Sequence, residues 1–117
     1  MFCLPDNEKI YTACYSGVQR GPALAQAFIN LGYSSSESYP GGMYRLQNVD
    51  ISLIPRAFFV LLCDTRDGIR PKRACESISA KLFERELEFT VFDNYTLSCI
   101  LNKANIQIND DSYHNWD

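Results

Sequence analysis

The sequence predicts an α/β fold of three layers, a central parallel sheet of about four strands between two layers of helices, and three observations carry that expectation. Residues 57–63 hold an unbroken apolar run, Phe58-Phe59-Val60-Leu61-Leu62, without the alternation of a half-exposed strand. A run of this length reads as a central parallel strand covered on both faces. Short strand-like runs alternate along the chain with stretches of helical spacing, which is the pattern of βα units. Finally, 117 residues with no repeat and no linker form a single domain, 1–117, with a real but modest core.

The elements follow in order. Residues 10–14 (Ile-Tyr-Thr-Ala-Cys) read as a first strand, β-branched or apolar up to its end. A helix is expected over 22–31, where Leu24, Ala27, Phe28 and Leu31 share one face. Pro22 suits the first helical turn and Gly32 the position just past the end. Residues 34–38 form a weak second strand, and Pro40-Gly41-Gly42 imposes a turn. A short helix is placed between Met43 and Leu53. After the central strand, Ala74, Ile78 and Leu82 recur every four residues and predict a helix over 71–87. Phe89 to Phe92 reads as the last strand and Asp93-Asn94 as a turn-prone pair. Residues 95–104 form a closing helix carrying Leu97, Ile100, Leu101 and Ala104. The end, 109–117, is polar.

Composition narrows the function. The chain is 46% apolar, with seven Phe, seven Tyr and one Trp, which excludes a disordered chain. A net charge of −3 supplies no basic field for nucleic acid, so an anionic ligand must be held by local geometry. No segment has the apolar length to cross a bilayer, and residues 1–9 lack the pattern of a secretory signal. Five scattered cysteines, an odd number without a CxxC pair, fit a reducing cytoplasm. With one histidine, His114, a zinc site is not expected, and neither is any metal or cofactor.

The run Cys14-Tyr15-Ser16-Gly17-Val18-Gln19-Arg20 carries the chemistry. A strand ends at Cys14, six residues wrap round, and a helix starts near Gly21-Pro22. Such a loop turns its N–H groups inward above the positive end of the helix dipole and binds a dianion such as phosphate. The same field favours a thiolate at Cys14. Arg20 supplies the forked cation that phosphate oxygens favour, and Gly17 permits positive φ. A Cys six residues before an Arg arises by chance in roughly one chain of this composition in four. The strand before, the glycine inside and the helix start directly after raise this instance above that level. In parallel sheets ligands bind beyond the carboxyl ends of the strands, and Cys14, Asp64 and Asp93 would share that edge.

The stretch 10–28, Ile-Tyr-Thr-Ala-Cys through Arg-Gly-Pro-Ala-Leu-Ala-Gln-Ala-Phe, resembles the opening of low-molecular-weight protein tyrosine phosphatases. That family begins with a strand, a Cys-x5-Arg-Ser-Pro loop and an Ala-rich helix. Residues 59–64 and 89–95 resemble its central strand and its last strand with the following Asp-Pro-Tyr loop. The resemblance implies a cytoplasmic phosphatase acting on a phosphorylated protein or a small phosphoester. Cys14 would attack phosphorus to form a phosphocysteine, with residues 14–20 binding the phosphate. Asp93 would be the general acid, with Asp110 and Asp111 as a second candidate pair. Tyr15 and Tyr95 would frame the substrate ring, and Arg70, Lys72 and Arg73 would attract an anion. Three departures stand out. Gly21 replaces the family's Ser or Thr, whose hydroxyl hydrogen-bonds the sulfur; Gly17 replaces a common Asn; Asn94 replaces Pro.

Three rival readings use the same loop. A phosphate-binding regulatory module with little turnover is favoured by Gly21 and Asn94. An arsenate reductase of this fold would need resolving thiols, for which Cys63 and Cys75 are available. A phosphotransferase IIB-type carrier is opposed by Arg20.

Overall fold

A computed structural model of the chain describes residues 4–5 and 7–107. Eight principal elements alternate: β1 (Ile10–Ala13), α1 (Arg20–Asn30), β2 (Ser36–Ser38), α2 (Gly42–Leu46), β3 (Phe58–Leu62), α3 (Ile69–Glu84), β4 (Phe89–Phe92) and α4 (Asn94–Lys103). One turn of 3-10 helix, Ile51–Leu53, separates α2 from β3. The four strands form one sheet in the order β2-β1-β3-β4, and every pairing is parallel. This is the α/β architecture that the alternation of elements predicts.

The unbroken apolar run of β3 has a direct physical cause, because both of its faces are covered. Phe58, Val60 and Leu62 point to one side, where they pack with Leu24 and Phe28 of α1 and with Leu97, Ile100 and Leu101 of α4. Phe59 and Leu61 point to the other, against Met43 and Leu46 of α2 and Ala74, Ile78 and Leu82 of α3. All five β3 residues are buried. Each large aliphatic or aromatic side chain taken out of water contributes about 1.5–3 kcal/mol, so this strand is the centre of both cores.

Several boundaries differ from those the sequence predicts, for local reasons. The helices expected to start at Pro22 and Pro71 begin two residues earlier, at Arg20 and Ile69. Proline is tolerated in a first turn, where the N–H has no intrahelical partner. The helix expected to reach Leu87 stops at Glu84. Glu86 takes φ 58° and the Leu87 N–H returns to the Leu82 carbonyl at 2.9 Å, a left-handed termination. The ends of α1 at Gly32 and of α4 at Asn105 are built the same way. The second strand keeps only Ser36–Ser38 of the expected 34–38.

Registers fix where the carboxyl ends lie. Ala13 pairs with Leu61, and Leu62 pairs with Phe92. Cys14, Asp64 and Asp93 therefore leave the sheet along one edge. No described helix is long and apolar enough to cross a membrane.

Candidate functional site

At this edge β1 gives way to residues 14–19, which curl before α1 begins. Cys14 is wholly buried, and its sulfur accepts the Gly21 N–H at 3.1 Å. That N–H belongs to the first turn of α1, so one of the helix's otherwise unused donors is aimed at the thiol. A second strut fixes the turn: the buried Thr12 hydroxyl of β1 donates to the Gly21 carbonyl at 2.6 Å.

The outer side of the loop is held by α2. The Met43 N–H donates to the Cys14 carbonyl and the Tyr44 N–H to the Tyr15 carbonyl, both at 2.8 Å. The Cys14 and Tyr15 carbonyls are thus committed to α2. Among the described residues, the N–H groups of Tyr15, Ser16 and Gly17 donate to no backbone carbonyl. Val18 N–H meets the Ser16 hydroxyl at 3.2 Å. Gly17 takes φ +81°, as expected of a glycine in such a curl, and Gly42 takes φ +60° directly beneath it. A β-carbon on Gly42 would lie 2.2 Å from the Cys14 carbonyl oxygen and 2.6 Å from Gly17 N. The two glycines let two backbone segments touch.

Arg20 closes the loop with its side chain turned inward. It is 1% exposed, and one terminal nitrogen donates to Asn94 Oδ1 at 3.3 Å. Asn94 is itself buried, and its backbone N–H donates to Asp64 Oδ2 at 2.9 Å. A relay thus runs from the end of β3 through the start of α4 to the guanidinium. Burial pushes the Asp64 carboxyl up, but hydrogen bonds from the Asn94 and Arg66 N–H groups and the Arg66 side chain outweigh it and hold the group below its usual range.

Asp93 caps α4. Its carboxylate accepts the Thr96 N–H at 2.9 Å, and this bond, joined by the Thr96 hydroxyl, holds it below the usual carboxylate range. It is exposed on the same edge as the loop. Asp110 and Asp111 lie outside the described residues. Tyr15 is partly buried and stacks on Tyr44 with ring centroids 5.8 Å apart, whereas Tyr95 stands 77% exposed. Tyr15 and Tyr44 share the wall of two adjoining clefts. One, of about 610 Å³, runs past Ser16, Arg45 and Val49; the other, of about 500 Å³, is flanked by Arg70 and Arg73. Lys72 is exposed nearby on α3.

Cys63 and Cys75 lie close enough for each thiol to perturb the other. Burial, reinforced by that neighbour, pushes Cys63 up to about 12, and burial raises Cys75 as well. Neither is a ready thiolate near neutral pH. Cys14, Cys63, Cys75 and Cys99 are not in disulfides. Among the described residues no cluster of His, Cys, Asp or Glu could hold a metal ion.

Sequence reasoning finds the loop itself but misses two supports. Asn94 stands out in the sequence only as a departure from Asp-Pro-Tyr, yet in the fold it links Arg20 to Asp64. Gly42 reads as an ordinary turn glycine, since its contact with residues 14–17 is created only by the fold. Comparison with protein-family models, with curated proteins and with solved structures finds no match to this chain.

Proposed function

We propose that this protein is a cysteine-dependent phosphatase that hydrolyses phosphomonoesters of the phosphotyrosine type through a phosphocysteine. One observation carries the reading: at a single loop, a first-turn helix N–H is donated to the Cys14 sulfur while the adjacent Arg20 guanidinium is buried. Loop amides and a guanidinium gathered around one thiol suit a tetrahedral dianion. The Cys14 sulfur attacks phosphorus and the alkoxide or phenolate leaves. Arg20 and the amides of residues 15–20 take up the charge on the equatorial oxygens.

Asp93 is the assigned acid for the leaving group and the later base for water. Held as a carboxylate by its cap, it suits the second role directly. The first needs the protonated fraction, so poor leaving groups are expected to react best at acid pH. The aromatic wall of Tyr15 and Tyr44 fits the ring of an aryl phosphate. The low-molecular-weight phosphatase resemblance of residues 10–28 points the same way. A regulatory module that binds phosphate without turnover is the second reading, favoured by the absence of a hydroxyl at Gly21. The raised thiols of Cys63 and Cys75 disfavour arsenate reduction. The test is release of p-nitrophenol from p-nitrophenyl phosphate by wild type and Cys14→Ser. Release that depends on Cys14 supports the phosphatase. Binding of phosphate or vanadate without release supports the module, and neither binding nor release removes both readings.

A further inference from the structure

Gly21 contributes no side chain beside the reactive sulfur, but the space where one would stand is not empty. A β-carbon on Gly21 would lie 2.9 Å from the Ser38 hydroxyl oxygen and 3.3 Å from the Cys14 sulfur. Ser38 ends β2, and its neighbour in register on β1 is Thr12, two residues before Cys14. The Ser38 hydroxyl is buried, yet among the described residues it has no hydrogen-bond partner. Leaving such a group unpartnered carries the full desolvation penalty of an unmade hydrogen bond. A buried polar group without a partner calls for an explanation, and a catalytic role is one of the few available.

We propose that Ser38 is the hydroxyl donor to the Cys14 thiolate, supplied from the neighbouring strand because residue 21 is glycine. A thiol accepts weakly, whereas a thiolate is a charged acceptor. Ionisation of Cys14 therefore recruits the Ser38 O–H by rotation about its side-chain bond. Turnover uses the same bond again. When water attacks the phosphocysteine, the new O–P bond forms, the S–P bond breaks and its electron pair returns to sulfur. The water proton passes to Asp93, and the Ser38 O–H stabilises the departing thiolate. The role in turnover rests on the phosphatase reading; the hydrogen bond to the thiolate does not.

The test is the pH titration of the Cys14 β-carbon NMR signal, assigned by its loss in Cys14→Ser, which reads a buried sulfur directly. It compares wild type, Ser38→Ala, Ser38→Thr and the double variant Gly21→Ser with Ser38→Ala. Ser38→Ala is expected to raise the titration midpoint by about one pH unit. Ser38→Thr keeps the midpoint, and the double variant, which moves the hydroxyl across the gap, lowers it again. Thermal unfolding separates this role from a structural one: Ser38→Ala removes an unpartnered polar atom, so its melting temperature stays level or rises. An unmoved midpoint in Ser38→Ala overturns the proposal, as does a midpoint shift accompanied by a fall in melting temperature that Ser38→Thr does not repair. A chain that shifts as expected but never releases p-nitrophenol loses the phosphatase reading and keeps the hydrogen bond.

Discussion

Replacing Gly42 by alanine tests whether the cradle depends on α2 pressing against it. The β-carbon would sit 2.2 Å from the Cys14 carbonyl oxygen, 2.6 Å from Gly17 N and 2.7 Å from the Tyr15 carbonyl oxygen. All three are backbone atoms, so no side chain can swing aside. The left-handed conformation at φ +60° adds about 1–2 kcal/mol for an alanine. Forcing the segments apart loses the bonds from the Met43 and Tyr44 N–H groups, each about 0.5–1.5 kcal/mol. The expected destabilisation is therefore about 2–5 kcal/mol, a fall in melting temperature on the order of 10 °C or more. Gly32→Ala is the matched control, because φ is +106° but no atom lies within 4 Å of the added carbon. It bears the strain alone. Thermal unfolding by circular dichroism measures both variants, and titration calorimetry with vanadate measures the loop. Gly42→Ala is expected to lose vanadate binding while Gly32→Ala keeps it. If the two variants melt alike and both bind vanadate, the contact between α2 and the loop has no energetic weight and the reasoning fails.

Other perturbations have equally definite outcomes. Arg20→Lys keeps a positive charge but loses the fork and the Asn94 contact, and p-nitrophenyl phosphate turnover is expected to fall at least about 100-fold; near-wild-type kcat/KM would remove Arg20 from the site. Asp93→Asn preserves a good cap whereas Asp93→Ala loses about 1 kcal/mol. Unfolding should thus separate the two, while assays with an alkyl phosphate should show both slowed, and an unchanged rate in Asp93→Asn would dismiss it as the acid. Asp64, whose carboxyl is held below its ordinary range, stabilises the fold above its unfolded value near 3.8, and that contribution fades as pH falls through the lower folded value. Asp64→Asn should be less stable than wild type by about 1 kcal/mol at pH 7, with the gap closing below about pH 4; a gap independent of pH would contradict this.

The layers of the fold were readable because burial on two faces leaves a mark in one strand. Phe58 to Leu62 needs apolar side chains on both sides, and no exposed or half-exposed strand has that need. The turn from Cys14 to Arg20 was readable for a different reason: the residues that shape it lie within six positions of each other. What stayed hidden is what the fold alone brings together. Asn94 sits in a turn-prone pair and Ser38 ends a short polar strand, and neither setting hints at Arg20 or Cys14. The helix boundaries slipped because proline tolerates the third helical position as well as the first, and because Glu86 and Asn105 adopt a backbone conformation more often given to glycine. The place of Asp93 just after the last strand was readable, but its cap to Thr96 follows only from where α4 begins.

The contact between Arg20 and Asn94 spans 74 positions of sequence. On the ribosome the loop emerges 74 positions before the residue that steadies its guanidinium. A nascent chain that has reached α1 but not α4 therefore has the loop without this brace. The order around Arg20 is thereby coupled to the docking of α4.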